Sequence, residues 1–267
     1  TVQAVAEENG AVLAALPPDG VAVFPGDDAF TPLWRALAGT RRCLCFGAAP
    51  AAQAEPTQAP AVQVWCEQAQ WQGDAWALRI ATPEGHFATR LQVAGRHNVR
   101  NALAATACAL AAGCTLAAVA EGLAAFVPVA GRSRVLALPM PGRTLTVVDD
   151  CYNANPDSMQ AAIAVLAELP APRWLVLGDM GEVGSQGPQF RAEAGALARA
   201  SGIEHLLARG TLSIGAAQAF AHASGPTPAA RARHFDDKAA LLAALRAALP
   251  GMGSVLVKGS RFMKMED

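Results

Sequence analysis

The stretch TVVDDCYNANPDSMQAAI, residues 146–163, begins with β-branched residues, continues with a polar segment and ends with a pattern typical of a helix. Its β-branched start predicts a strand, and from Pro156 onward the apolar residues recur with helical spacing. Asn155 and Pro156 are of the types that favour the cap and the first position of a helix. The stretch therefore predicts a strand, a polar loop and a helix, which together form the repeating unit of a parallel α/β sheet.

This alternation continues through the second half of the sequence. Strands are predicted over a hairpin at 134–150 and over 173–179, 205–210, 234–235 and 254–260. Helices are predicted over 156–168, 189–201, 212–223 and 237–248. Regular β/α alternation of this kind is typical of a complete doubly wound, Rossmann-like domain.

The first half has a different pattern. A helix is predicted at the start, then a strand, a helix, a strand, a Pro/Ala-rich loop, three antiparallel strands and two Ala-rich helices. The segments concerned are 1–16, 21–25, 28–39, 41–47, 48–60, 62–95, 98–112 and 116–126. The segment VPVAGRSR, 127–134, is typical of a linker. We therefore expect an α/β protein of two domains, 1–128 and 129–267, of which the first has too few β/α units to be complete.

Composition limits the classes of protein that this sequence can encode. Hydrophobic residues make up 52% and charged residues 16%, which is typical of a globular chain. The formal net charge of −1 gives no electrostatic reason to expect nucleic acid or an anionic membrane as a partner. Polar residues interrupt the apolar runs, so we expect no membrane insertion.

The six cysteines include no CxxC pair, which in a chain of this size favours buried reduced thiols over a disulfide framework. We therefore expect a cytoplasmic protein. The sequence starts at Thr1 without a visible signal peptide and already within a helical pattern, so we expect a fragment or a processed form of a longer chain.

Polar side chains cluster where three predicted strands end. The residues concerned are Asp149, Asp150, Asp179, Glu182, Lys258, Ser260 and Arg261. In doubly wound sheets ligands bind beyond the carboxyl ends of the strands, so a binding site is predicted at this edge. The segment VKGSR, 257–261, is the most informative, because a lysine followed by Gly, Ser and Arg makes a compact anion site. The sequence holds no GxxxxGK[ST] phosphate loop.

Several of these features also have a purely structural explanation. Asn155 could act as a helix cap alone, but paired carboxylates at a strand end need a cation, a metal or ligand hydroxyls. Asn98 and Asn101 share one face at the start of a helix, where they could read a base edge or simply cap the helix. Arg132, in the linker, could reach a phosphate or ribose or be a surface arginine.

Five segments, in this order and at this spacing, resemble the Mur ligases of peptidoglycan synthesis over essentially the whole chain. They are GRHNVRNALAA (95–105), VAGRSR (129–134), DDCYNANPDSM (149–159), LVLGDMGEVG (175–184) and VLVKGSR (255–261). The set YNANPDSM, GDMGEVG and VKGSR is similar to the branch of the family that uses D-alanyl-D-alanine. The resemblance implies that this chain is the end of a central ATP-binding domain followed by a Rossmann-like C-terminal domain.

The resemblance also implies a reaction, with ATP and Mg²⁺ as cofactors. ATP would phosphorylate the carboxylate of UDP-N-acetylmuramoyl-tripeptide, and the amine of D-alanyl-D-alanine would then attack the acyl phosphate. We expect a monomer. Because the phosphate loop and the magnesium-binding glutamate would precede Thr1, we expect the isolated chain to be inactive.

Roles for individual residues follow from the resemblance and are expectations. The residues expected to bind ATP are Asn98, Asn101, Arg132 and Asp150. The residues expected to seat the dipeptide are Tyr152, Asn153, Asn155, Lys258, Ser260 and Arg261. No metal ligand is expected within the chain.

The sequence departs from the family pattern at three positions. Asn9 stands where many members have a carbamylated lysine, and Ala130 stands where proline is common. Arg191 lies near the place of a frequent histidine and could supply a phosphate contact instead. Two alternatives stay open: a folylpolyglutamate synthase, which YNANPDSM and VKGSR argue against, and a non-catalytic module that binds nucleotide or peptide.

Overall fold

The computed structural model describes residues 1–49, 62–181, 183–227 and 230–267. The chain divides into two compact units. The first consists of Thr1–Leu91 and Arg96–Phe126, and the second of Gln92–Gly95 and Val127–Asp267. Each unit holds one sheet with helices packed on it, which confirms the α/β fold class predicted from the sequence. Most of the predicted Pro/Ala loop and Glu182 lie outside the described residues.

The first unit is built on a five-stranded sheet in the order β1-β2-β3-β4-β5. The strands are β1 (Val21–Pro25), β2 (Arg42–Gly47), β3 (Val64–Trp71), β4 (Trp76–Thr82) and β5 (Gly85–Leu91). The first three run parallel, and β3, β4 and β5 form the predicted antiparallel meander. Ala22 and Phe24 of β1 and Leu44 and Cys45 of β2 are buried in the core of this unit.

Four helices complete the first unit: α1 (Val2–Ala14), α2 (Thr31–Ala38), α3 (Arg96–Ala111) and α4 (Leu116–Ala124). The buried face of α3 includes Val99, Leu103 and Leu110, whose spacing follows the helical period. The helix packs against β1, β2 and β3, and the two candidate asparagines lie near its start.

The second unit is built on a six-stranded sheet in the order β10-β9-β8-β11-β7-β6. The strands are β6 (Arg134–Met140), β7 (Arg143–Asp150), β8 (Arg173–Gly178), β9 (His205–Arg209), β10 (Arg231–Phe235) and β11 (Ser254–Lys258). All neighbours are parallel except β6 and β7, which form the predicted hairpin. The edge strand β10 starts at Arg231, earlier than the predicted 234, because it pairs with β9 along its whole length.

The helices of this unit are α5 (Pro156–Ala167), α6 (Gly187–Ala200), α7 (Ile214–His222) and α8 (Lys238–Ala248). On one side Leu241 and Met252 pack with Leu145, Val176 and Val255 of the central strands. The last strand along the chain, β11, lies between β7 and β8 in the sheet. This position brings the end of β11 next to the ends of both strands, where the candidate site lies.

The structure tests two predictions, that the cysteines are buried free thiols and that the chain does not insert into a membrane. The cysteines are free within the described residues, but Cys108 and Cys114 are exposed on and after α3, so the expectation of buried thiols is wrong for these two. Cys108 lies on the solvent side of α3 and Cys114 lies between α3 and α4, positions that a hydrophobicity count does not separate from the core. Among the described residues we find no helix with the length and apolarity needed to cross a membrane.

Candidate functional site

The carboxyl ends of β7, β11 and β8 meet at one edge of the second sheet. The strand register pairs Lys258 with Asp150 on one side and with Leu177 on the other. The polar residues that follow these strands are therefore brought together by the sheet itself. The predicted convergence of three strand ends is present in the structure.

Lys258 is almost completely buried at this edge. Its side chain is 2% exposed and that of Asp150 is 15% exposed. The Lys258 ammonium donates to Asp150 Oδ2 and, at 3.0 Å, to the carbonyl oxygen of Asn153. A buried ammonium is tolerated only when paired and hydrogen-bonded, so Asp150 is the counter-charge that allows Lys258 to sit here.

The two adjacent aspartates also hold the linker. Asp149 Oδ2 accepts the Gly131 amide at 2.8 Å, and Asp150 Oδ1 accepts the Ser133 amide at 2.9 Å and its hydroxyl at 3.1 Å. Each carboxylate thus fixes the backbone of one linker residue beside β7. The crowding of two aspartates at this strand end is explained by backbone donors on one side and a buried cation on the other.

Gly131 lies against the loop that follows β7. Its carbonyl accepts the Tyr152 amide at 2.9 Å, and its φ of +79° lies in the left-handed region that favours glycine. A Cβ atom at residue 131 would lie 2.9 Å from the Tyr152 amide nitrogen, a contact with backbone that cannot move aside cheaply. The glycine is therefore required both by conformation and by space.

Tyr152 is an exposed ring between two arginines. The Arg132 Cζ lies 3.8 Å from the ring centroid, and the Arg261 Cζ lies 5.5 Å from it. The Tyr152 side chain is 40% exposed, and Arg261 also pairs with Glu266 at 3.3 Å. These contacts place two cations at one exposed ring, two residues after Asp150.

Ser260 connects the three loops of this edge and is buried. Its hydroxyl accepts the Gly181 amide at 2.8 Å and donates to the Ala154 carbonyl at 3.4 Å. Its own amide donates to the Asp179 carbonyl at 3.0 Å. The hydroxyl is used within the protein, so Ser260 aligns the loops after β7, β8 and β11.

The loop after β8 is held from two further directions. Asp179 Oδ1 accepts the amides of Leu212 and Ser213, at 3.0 and 2.7 Å, and so caps the loop after β9. Arg191, on α6, is 7% exposed and donates to the Met180 carbonyl. Its Nε has no hydrogen-bond partner among the residues that the structure describes. In this arrangement Arg191 acts on the loop backbone from the buried side.

Asn155 caps α5 as predicted. Its Oδ1 accepts the Ser158 amide at 2.8 Å, and Ser158 Oγ accepts the Asn155 amide at 3.0 Å, which completes a capping box. Asn153 Oδ1 accepts the Ala154 amide at 2.8 Å. Both asparagines are exposed, so their side-chain amide groups can also face a ligand.

Cys151, between the aspartates and Tyr152, is buried and unreactive. Burial, followed by the nearby Asp149 carboxylate, raises the pKa of its thiol well above the usual range. The Sγ lies 3.5 Å from the Val257 carbonyl, to which it donates. A thiol held neutral in this way does not act as a nucleophile.

The two candidate asparagines of the first unit lie in the first turn and a half of α3. Asn101 Nδ2 donates to Asn98 Oδ1 at 3.0 Å, and Asn98 Nδ2 lies 3.1 Å from His97 Nε2. Their i, i+3 spacing puts both amides on one face, as predicted. Asn9, in contrast, lies on the exposed face of α1.

The sequence interpretation missed Asp27, which follows β1 in this unit. Its carboxylate accepts two hydrogen bonds from the Arg100 guanidinium, at 3.0 and 2.6 Å, and one from the Ala48 amide at 2.8 Å. The Arg100 hydrogen bond is the main reason that the pKa of Asp27 is lowered. The signal was the pair of aspartates that begins two residues after the predicted strand 21–25, which is similar to the pair Asp149 and Asp150.

The described residues include no cluster of metal-ligating side chains. Within residues 1–49, 62–181, 183–227 and 230–267, we find no group of three or more His, Cys, Asp or Glu side chains placed to hold a metal ion. The carboxylates of the sheet edges are bonded to backbone amides, Lys258 and Arg100.

Two family models match the chain in succession. The Mur ligase middle domain matches residues 1–109, and the glutamate ligase domain of Mur ligases matches residues 131–261. Together they cover most of both units.

Two curated relatives by sequence share one name. The UDP-N-acetylmuramoyl-tripeptide–D-alanyl-D-alanine ligase of Escherichia coli K12 is 35% identical over 265 residues, which is 98% of this chain and 54% of the relative. The ligase of the same name from Haemophilus influenzae is 36% identical over 202 residues, 73% of this chain and 41% of the relative. The chain therefore spans about half the length of the curated relatives it matches.

Solved structures agree with these matches. A crystal structure of MurF from Acinetobacter baumannii superposes with a TM-score of 0.81 and 28% identity, covering 98% of this chain and 54% of that one. The fold is also shared with MurF from Thermotoga maritima in complex with ADP, at a TM-score of 0.72 and 20% identity, covering 96% of this chain and 53% of that one. The chain belongs to the Mur ligase family.

Proposed function

We propose that this chain is the middle and C-terminal part of an ATP-dependent amide ligase that joins D-alanyl-D-alanine to UDP-N-acetylmuramoyl-tripeptide. The observation that carries the proposal is the meeting of polar strand ends at the edge of the second sheet, in a chain that aligns over 98% of its length with a relative named for this ligation. The proposed domain limits are 1–128 for the middle domain and 129–267 for the C-terminal domain.

The chemistry explains why such an enzyme needs ATP and many cations. A carboxylate is a poor electrophile, so the γ-phosphoryl group of ATP is first transferred to a carboxylate oxygen, which gives an acyl phosphate and ADP. The dipeptide amine then attacks the carbonyl carbon, the C–N bond forms, and inorganic phosphate and a proton leave. Negative charge accumulates on oxygen in both steps, and fixed donors stabilise it. When bound, Mg²⁺ would neutralise part of the charge on the phosphates.

Two groups of residues are proposed to contact ATP. Asn98 and Asn101 present paired amides that suit the adenine edge, since each offers a donor and an acceptor. In the second unit Arg132 would contact a phosphate and Asp150 a ribose hydroxyl. The Asp150 carboxylate is held by Ser133 and Lys258, so its orientation is already set before any ligand arrives.

The residues proposed for the dipeptide divide by exposure. Tyr152, Asn153, Asn155 and Arg261 are exposed and could contact the dipeptide or its carboxylate. Lys258 and Ser260 are buried, and their polar atoms bond to the loops that carry the exposed residues. We propose that these two residues shape the dipeptide site from beneath. For Arg191 the phosphate contact stays a prediction, and its buried hydrogen bond to Met180 favours support of the loop.

The test is reconstitution with the full-length protein that contains this chain. ADP release is expected to require ATP, UDP-N-acetylmuramoyl-tripeptide and D-alanyl-D-alanine together, with a product heavier by the dipeptide less one water. Replacing the peptide substrates by a folate and glutamate is expected to give no ADP. ADP release with folate and glutamate, or none with the peptide substrates, would overturn the proposal.

The same preparation would test the proposed monomer by light scattering, and cell fractionation would test the proposed cytoplasmic location.

A further inference from the structure

We propose that Tyr152 is a positioning residue, whose ring holds the guanidinium of Arg132 so that Arg132 can bind a phosphate oxygen of ATP. The inference rests on the proposed function and assigns Tyr152 a different task from the dipeptide contact that the resemblance implies.

The stacking geometry is the first observation. The Arg132 Cζ lies 3.8 Å from the Tyr152 ring centroid, the shortest of the cation–ring distances found in the described residues. A planar guanidinium at this distance lies against the ring face, where it is attracted by the ring electrons and by dispersion. Tyr152 is 40% exposed, so core packing does not explain its ring.

The backbone on both sides of Arg132 is fixed independently. The amides of Gly131 and Ser133 donate to Asp149 and Asp150, and the Tyr152 amide donates back to the Gly131 carbonyl. The base of the arginine side chain is therefore held at three points beside the ring. Only the side chain retains rotational freedom, and the ring restricts it.

The donors of Arg132 remain available. Its guanidinium has no hydrogen bond and no ion pair to any residue in the described part of the chain, and Arg132 is exposed. Arg261, at the same ring, differs because it lies 5.5 Å away and pairs with Glu266. A stacked guanidinium with free N–H groups beside a carboxylate that would hold ribose is suited to a phosphate oxygen.

The ring contributes to affinity by pre-organisation. A free arginine side chain loses rotamer entropy when it binds a ligand, and a side chain already stacked loses less. An exposed cation–ring contact of this kind corresponds to an affinity change of about two- to fivefold. This effect depends on the aromatic face and not on the tyrosine hydroxyl.

The experiment is a double-mutant cycle on ADP binding by the full-length protein, measured by isothermal titration calorimetry. Tyr152→Leu is expected to weaken ADP binding about two- to fivefold, and Tyr152→Phe is expected to leave it unchanged. In an Arg132→Ala background, Tyr152→Leu is expected to cause no further loss. Arg246→Ala, which removes an exposed arginine from α8, is the control for loss of one positive charge.

Three results would overturn the inference. The first is a loss on Tyr152→Leu that persists undiminished in the Arg132→Ala background. The second is a raised KM for D-alanyl-D-alanine with unchanged ADP affinity, which would make Tyr152 a dipeptide contact. The third is unchanged ADP affinity in Arg132→Lys, which keeps the positive charge but loses the planar guanidinium that stacks on the ring. This variant also tests the stacking if Tyr152→Leu does not fold. Failure of the proposed function shows differently, as a wild-type protein that does not bind ADP.

Discussion

Each unit carries an aspartate at a strand end that pairs with a cation from another element, but the two pairs are buried to different degrees. In the first unit the side chains of Asp27 and Arg100 are 26% and 43% exposed. In the second, those of Asp150 and Lys258 are 15% and 2% exposed. A carboxylate–cation pair therefore has water as an alternative partner in the first sheet and much less water in the second.

The difference follows from the elements that supply the cation. Arg100 comes from the first turns of helix α3, whereas Lys258 ends a strand with a neighbour on each side. An exposed pair adds little to stability because water solvates both charges nearly as well. A buried pair costs much when one member is removed, because the other charge stays behind without a partner.

The largest expected effect is therefore at Lys258. Lys258→Met, which keeps the side-chain length, leaves the Asp150 carboxylate unpaired and should lower the free energy of unfolding by about 3–5 kcal/mol. Urea unfolding of the chain, followed by circular dichroism, measures this. Adding Asp150→Asn to the variant should recover part of the loss. A loss below about 1 kcal/mol would mean that the two pairs differ in burial but not in energy.

Much of this arrangement could be predicted from the sequence. The strand and helix alternation located the sheet edge, and the Asn155-Pro156 pair located the start of α5. The burial of Lys258 could not be predicted, because it depends on the insertion of β11 between β7 and β8, which is a matter of topology. The partners of the Ser260 hydroxyl could not be predicted either, because only packing brings it to the Gly181 amide and the Ala154 carbonyl.

The partners of the paired aspartates were also beyond sequence reasoning. The pattern indicated that the carboxylates needed a cation, a metal or ligand hydroxyls, but not backbone amides of the linker. Those amides lie in the linker before β6, and a backbone amide cannot be recognised from the residue type. Asp27 is the opposite case, because its residue type and position could be read from the sequence and were overlooked.

An intermediate effect is expected at Gly131, which tests how firmly the second edge holds the linker. Gly131→Ala combines the left-handed backbone penalty with a close contact to the Tyr152 backbone, and should destabilise the chain by about 2–4 kcal/mol. Gly142→Ala is the matched control, because its φ is +74° and nothing lies within 4 Å of the added methyl. It should cost about 1–2 kcal/mol. Equal losses in the two variants, measured by urea unfolding, would show that the linker can move away from β7.

The smallest effect is expected at the exposed pair, and it depends on pH. The Arg100 hydrogen bonds lower the pKa of Asp27, so the folded state favours the ionised carboxylate. The stability from this pair is therefore fully present above the unfolded-state pKa of about 3.9 and is lost as the pH falls through the lower folded-state pKa.

Arg100→Gln should lower the free energy of unfolding by about 0.2–1 kcal/mol at neutral pH, and the difference from wild type should shrink in acid and in high salt. Arg42→Gln removes an exposed arginine from the same unit and should show neither dependence. Two results would contradict this prediction: a loss in free energy of unfolding as large as that of Lys258→Met, or a loss that stays constant down to acid pH. Either would mean that the greater exposure of the Asp27–Arg100 pair does not make it weaker than the Asp150–Lys258 pair.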